Sequence, residues 1–223
     1  MRPLQVRAAL RWIMGVPLGA NSYRCSDCGI TADADGQHAV RCTRGGAHTR
    51  GHCTVCRVLA NIFGFCGTSV QQIIPHAPST DPDLRPADLL LSQSGHKVAI
   101  DVSVVSPPCP VQTSALEDLA GPSRANARLG HMDAAVSRKI IKYRGICEKA
   151  GWTFEPFVCD TYGAMTQNAR TTLSLAVKKL KPEDCYYEST SGYAAVWRGV
   201  SAAIVSRAAE QYLRAMEHYL VEH

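Results

Sequence analysis

The run Val98-Ala99-Ile100-Asp101-Val102-Ser103-Val104-Val105 limits what this chain can fold into more than any other stretch. Its β-branched content makes it a strand, and only Asp101 and Ser103 interrupt its apolar character, so the strand is largely buried. Leu89-Leu90-Leu91 precedes it and Ser94-Gly95 supplies a turn, so the two runs read as a β-hairpin with Asp88 at the mouth of the first strand. An ionised carboxylate in an apolar strand is costly unless it is paired or binds a cation. The twelve residues between Asp88 and Asp101 suffice for strand, turn and return, and would carry both side chains to one edge of a sheet. Two carboxylates there suit a hard divalent ion such as Mg2+, which takes one or two carboxylates with waters and phosphate oxygens. The plainer alternative makes Asp88 the cap of a turn after Pro86, and Asp101 a tolerated edge-strand charge.

A second constraint is the spacing Cys25-x2-Cys28-x9-His38-x3-Cys42. Three thiolates and one imidazole suit tetrahedral Zn2+, and four protein ligands leave no open position, so the metal expected here is structural. The segment from Arg24 to Gly46 has few large apolar side chains, and a metal would supply the folding energy that it lacks. His48 and His52 remain open as replacements for His38. A second Cys53-x2-Cys56 pair lies in a stretch where Val55, Val58, Leu59, Ile62 and Phe63 set a helical period, so both cysteines are expected to be ordinary helix residues.

Residues 4–14 pattern as a short amphipathic helix ended by Gly15 and Pro17, and about 54–65 as another. Ser69 to Ile74 reads as the first strand of the sheet. Ser106 to Pro110 stops the hairpin's second strand, residues 111–130 read as a surface insertion, and about 131–150 as a helix. That helix carries Lys139 and Lys142 on one face, either of which could reach the sheet edge beside Asp101; the alternative is a solvated basic face. Trp152 to Cys159 is the next expected strand, followed by a helix from about Met165 to Leu180 and a long amphipathic helix over 193–221. The Lys178, Lys179 and Lys181 cluster fits either a nucleic-acid backbone or a solvated helix end.

Ten cysteines pose a choice between disulfides and metal. Arg7 and Arg11 interrupt the N-terminal apolar stretch, so no signal peptide is expected and a reducing compartment is. Arg2, Arg7, Arg11 and Arg24, with no acid before Asp27, also fit a transit peptide, although Leu4, Ala8, Trp12 and Ile13 pattern as a folded helix. No apolar run approaches the ~20 residues of a membrane span, so no membrane partner is expected. A net charge of +5 and a pI near 8.7 agree with a polyanionic partner without requiring one.

Pro86-x-Asp88, a hairpin, then Asp101-Val102-Ser103 resembles the PD-(D/E)xK nuclease motif. It is most similar to the restriction-enzyme-like endonuclease at the carboxyl end of site-specific non-LTR retrotransposon proteins. In that family the lysine missing from the strand is supplied by a following helix; here Ser103 stands at the lysine position and Lys139-Ile140-Ile141-Lys142-Tyr143 lies on a later helical stretch. The family also places a CCHC zinc motif upstream, and the His38 to Cys42 spacing matches it. The resemblance spans roughly residues 5–210. One departure is the additional glutamate of many such enzymes: no acidic residue occurs from Thr43 through Thr80.

The resemblance implies an α/β, restriction-endonuclease-like mixed central sheet of about four strands flanked by helices, with an N-terminal zinc knuckle. Residues 1–50 would form the N-terminal helix and zinc module, and 51–223 the endonuclease domain. Asp88 and Asp101, with the Val102 carbonyl, would hold Mg2+ or Mn2+, while Lys139 or Lys142 orients the attacking water or stabilises developing charge. Zn2+ would be held by Cys25, Cys28, His38 and Cys42. The implied partner is DNA, with element RNA as a further one, in the nucleus, and the implied activity is nicking of target DNA to prime reverse transcription. No reverse-transcriptase sequence lies within these residues, so the chain reads as the C-terminal part of a longer element protein. Two other readings stand beside this one: a catalytically inactive zinc-containing DNA-binding remnant, and a zinc-stabilised protein-interaction module.

Overall fold

The structure is a computed structural model that describes residues 3–14, 16–17, 22–72, 86–93, 95–106, 122–177 and 192–215. Among these residues the chain is mixed α/β. Helix α1 (Pro3–Met14) leads into a two-stranded antiparallel ribbon, β1 (Tyr23–Arg24) and β2 (Thr31–Ala32), and a short helix α2 (Gln37–Arg41). Helix α3 (Ala47–Phe65) then enters a four-stranded sheet ordered β3 (Ser69–Gln71), β4 (Leu89–Gln93), β5 (His96–Val105) and β6 (Thr153–Asp160). Helix α4 (Pro122–Lys149) crosses between β5 and β6, and α5 (Gln167–Val177) and α6 (Gly192–Ala215) follow.

The hairpin forms as its sequence dictates. Leu89 pairs with Ile100 and Gln93 with His96, and Gly95 at the turn has φ 81°, a value that glycine adopts without strain. β3 is antiparallel to β4, while β6 runs parallel to β5 from Val98↔Thr153 to Val105↔Asp160. A parallel neighbour requires a long crossover, and α4 provides it.

Side chains alternate across β5, and each face has its own helices. Ile100 and Val102 join Leu59 and Phe63 of α3, Phe157, Leu173 of α5 and Val200 of α6 in the main core. Ala99 packs on the other face with Leu90, Phe154, and Tyr143 and Cys147 of α4. Asp101 belongs by its register to the α4 face, which is what lets a lysine of that helix meet it.

Three boundaries differ from expectation. The helix expected from about residue 131 begins at Pro122, where a fixed φ and a missing N–H suit the first helical turn; the insertion expected over 111–130 therefore shrinks, and residues 111–121 lie outside the described ones. Helix α3 begins at Ala47 rather than near Thr54, so the expected division at residue 50 falls inside its first turn. The expected strand Ser69–Ile74 is seen as Ser69–Gln71. The Lys178, Lys179 and Lys181 cluster and the helical stretch after Ala215 lie outside the described residues.

The N-terminal part shares a core with α6. Ala8, Ala9, Tyr23, Cys25 and Cys42 pack with Val205, Ala209 and Tyr212, and the Tyr23 and Tyr212 rings meet edge to face at 6.0 Å. Trp12 stacks on Tyr162 at 4.8 Å and donates its Nε1–H to the Thr161 carbonyl at 3.1 Å. No helix among the described residues is long and apolar enough to cross a membrane.

Candidate functional site

The knuckle is built by local hydrogen bonds. Cys25 N–H donates to the Ile30 carbonyl at 2.9 Å and Gly29 N–H to the Cys25 carbonyl at 2.8 Å, closing a turn in which Gly29 has φ 72°. The Asp33 carboxylate accepts from the Gln37 and His38 N–H groups at 2.7 and 2.8 Å, capping α2 and fixing the start of the helix that carries His38. Cys42 follows that helix, its N–H donating to the His38 carbonyl at 2.7 Å.

These contacts bring the ligand atoms of Cys25, Cys28, His38 and Cys42 within 4.8 Å of one another, with Cys28 Sγ 3.1 Å from His38 Nε2. Tetrahedral zinc with ordinary bond lengths separates its ligand atoms by about 3.3–3.8 Å, so this donor set could hold such an ion with small adjustments. Burial pushes the Cys42 thiol up to about 11, whereas a hydrogen bond from the Ile30 backbone is the main influence lowering Cys28. A bound cation would remove the protons from all three thiols. Among the described side chains His38 belongs to this set, and His52 does not.

The second constellation lies at the sheet. Asp88 N–H donates to the Ile100 carbonyl at 2.8 Å, so the residue continues the β4–β5 ladder just before β4 begins. Its Oδ2 accepts from the Val102 N–H at 2.8 Å. On the α4 side, Lys139 Nζ stands 2.6 Å from Asp101 Oδ2. Burial raises the Asp101 carboxyl above the ordinary aspartate value, and the Lys139 ammonium opposes that shift. The Lys142 ammonium lies 4.9 Å over the Tyr143 ring centroid, and that of Lys139 5.5 Å over the same ring. The structure therefore brings Asp88, the Val102 backbone, Asp101 and Lys139 to one region, with Lys139 making the ion pair.

Two members of this region were not expected. His52 Nε2 is 3.1 Å from Asp88 Oδ2 and 3.2 Å from the Val102 carbonyl. Both partners are acceptors, so Nε2 carries a proton in these contacts. The hydrogen bond to Asp88, followed by the contact with Cys56, pushes the imidazole up to about 11. Cys56 is helical, as expected, but its Sγ lies 3.8 Å from the His52 ring nitrogens, while Cys53 of the same CxxC is exposed. Reading Cys56 as an ordinary helix residue is thus corrected in this respect: it faces the site. A signal existed in the sequence, since His52 and Cys56 are four residues apart and so share a helical face. A cavity of about 630 Å3 whose mixed lining includes Phe63, Leu91, Gln93, His96, Glu155 and Leu175 contains none of these site residues. No protein-family model matches the chain, and no curated protein matches it.

Proposed function

We propose that the chain is a restriction-enzyme-like, metal-dependent DNA endonuclease domain that nicks target DNA in the nucleus to leave a 3′-hydroxyl for reverse transcription. The observation that carries the reading is the Lys139–Asp101 pair at 2.6 Å. A lysine absent from strand β5, where Ser103 stands, reaches the carboxylate from helix α4. The donor set fits a divalent ion: two carboxylates, Asp88 and Asp101, and the Val102 carbonyl are hard oxygen ligands suited to Mg2+ or Mn2+. When bound, such an ion supplies charge neutralisation at a phosphoryl oxygen and a lower pKa for water.

The chain's own residues then have defined tasks. The Lys139 ammonium, freed from Asp101, would orient the attacking water or meet charge developing on the phosphoryl group as the bond from phosphorus to the 3′-oxygen breaks. α4 also exposes Arg138, Lys142, Arg144 and Lys149, beside Asp133 and Glu148, which suits contact with a phosphate backbone with little sequence choice.

One observation favours the second reading, a catalytically inactive zinc-containing DNA-binding remnant. Each carboxylate already has a partner within the protein, Asp88 in His52 and Asp101 in Lys139. Nicking of supercoiled plasmid by the zinc-loaded chain, with Mg2+ or Mn2+, separates the two. Endonuclease function predicts a nicked product that Asp101→Ala abolishes while zinc content and fold are retained. DNA binding without any nicking in either ion supports the inactive remnant.

A further inference from the structure

His52 and Cys56 are one helical turn apart on α3, and Asp88 meets them from the start of β4. One ligand atom from each of the three residues lies within 4.8 Å of the other two. His52 Nε2 lies 3.1 Å from Asp88 Oδ2, and either His52 ring nitrogen lies 3.8 Å from Cys56 Sγ. Zinc bound by nitrogen, sulfur and oxygen at ordinary lengths places such atoms about 3.3–3.7 Å apart. The Val102 carbonyl, 3.2 Å from the same Nε2, offers a fourth donor. Two ligands four residues apart on a helix, completed by a third residue from elsewhere, form a recurrent metal-binding arrangement because the helix alone fixes two of the three positions.

We infer that His52, Cys56 and Asp88, with the Val102 carbonyl, form a second metal site that takes a borderline-soft ion, Zn2+ or Co2+, in preference to Mg2+. The preference follows from the donors. Imidazole and thiolate favour later first-row divalent ions, whereas Mg2+ is held by oxygen and retains its waters. The site shares Asp88 and Val102 with the proposed nuclease centre, and only its place in phosphodiester chemistry rests on that reading; the capacity to bind metal does not. Binding expels the His52 Nε2 proton and the Cys56 thiol proton to solvent and leaves Asp88 as the anionic oxygen ligand, with no change of oxidation state.

The test uses the untagged full chain with one equivalent of Zn2+ bound at the knuckle, titrated with Co2+ and separately with Mg2+ by calorimetry and absorption. The expected result is one further equivalent of Co2+ with a single-thiolate charge-transfer band, bound at least about tenfold more tightly than Mg2+, since even outer-shell losses change metal affinity by about 10–100-fold. Cys56→Ser should remove the band, and His52→Ala should weaken Co2+ binding by at least that factor. The wild-type band does not depend on the folding of any variant. Its absence, or a band unchanged in Cys56→Ser, overturns the inference. A chain that nicks DNA with Mg2+ but takes no Co2+ beside the knuckle zinc refutes this site alone; one that takes that equivalent of Co2+ but never nicks refutes the nuclease reading alone.

Discussion

Lys139 on α4 places its ammonium 2.6 Å from the Asp101 carboxylate on β5, while His52 on α3 approaches Asp88 at 3.1 Å. Two helices thus bring a cation-forming side chain each to a sheet that bears two acids. The lysine pair crosses from one layer to another, so it depends on how α4 is rotated against the sheet, not on local sequence.

Exchanging the two lysines separately should therefore give unequal results. Lys139→Ala is expected to lower nicking by about 10²–10⁴-fold, the range of a lost proton-transfer or charge-stabilising group, whereas Lys142→Ala should remain within a few-fold of wild type. Initial rates on supercoiled plasmid check this. Lys139→Ala should also destabilise the fold by on the order of 1–3 kcal/mol in urea titration, because it strands a buried carboxylate without its partner.

Removing zinc from the knuckle should unfold residues around 24–46 before the sheet. Trp12 packs with Val40 and stacks on Tyr162, so chelation is expected to change tryptophan fluorescence and open the module to trypsin at Arg41 or Arg44. Cys25→Ser should show both effects without chelator. Unchanged fluorescence and cleavage after measured zinc loss would contradict a structural role.

Alkaline pH should destabilise the chain. Burial, reinforced by Asp101 and Glu148, pushes the Cys147 thiol from its ordinary 9.0 up to about 11. Folding thus favours the protonated thiol, so this contribution is complete below about pH 9 and is lost as pH rises through about 11. The fully buried Cys159 is raised as well and acts in the same direction. The urea midpoint should fall between about pH 8 and pH 10.5, and fall less in Cys147→Ala.

Gly163→Ala should destabilise the turn between β6 and α5. Gly163 has φ 86°, and a Cβ there would lie 3.2 Å from the Ser201 backbone Cα and 3.0 Å from its Cβ. A cost on the order of 1–3 kcal/mol is expected from the backbone conformation alone, read as a lower thermal midpoint. The same turn carries Tyr162, so Trp12 fluorescence should shift in this variant too.

Much of the fold was legible because its signals are local. The β-branched run with a turn before it specified the β4–β5 hairpin, and the amphipathic pattern expected over 193–221 marked α6. The early start of α4 is not legible in the sequence because Gly121-Pro122-Ser123 resembles a loop, although proline is equally suited to a first helical turn. In sequence His52 reads only as a substitute knuckle ligand, since its neighbours in sequence are the knuckle's and its neighbours in space are not.

What the sequence by itself determined is the grouping of Cys25, Cys28 and Cys42 with a nearby histidine, together with the hairpin that carries Asp88 and Asp101. Those contacts close over short loops, so spacing and turn residues are enough to specify them. Only the tertiary structure decided that Lys139 meets Asp101 and that His52 and Cys56 join Asp88. A helix turns about 100° per residue, so which of its side chains meets the sheet is set by how its whole apolar face packs, and that depends on partners far away in the chain.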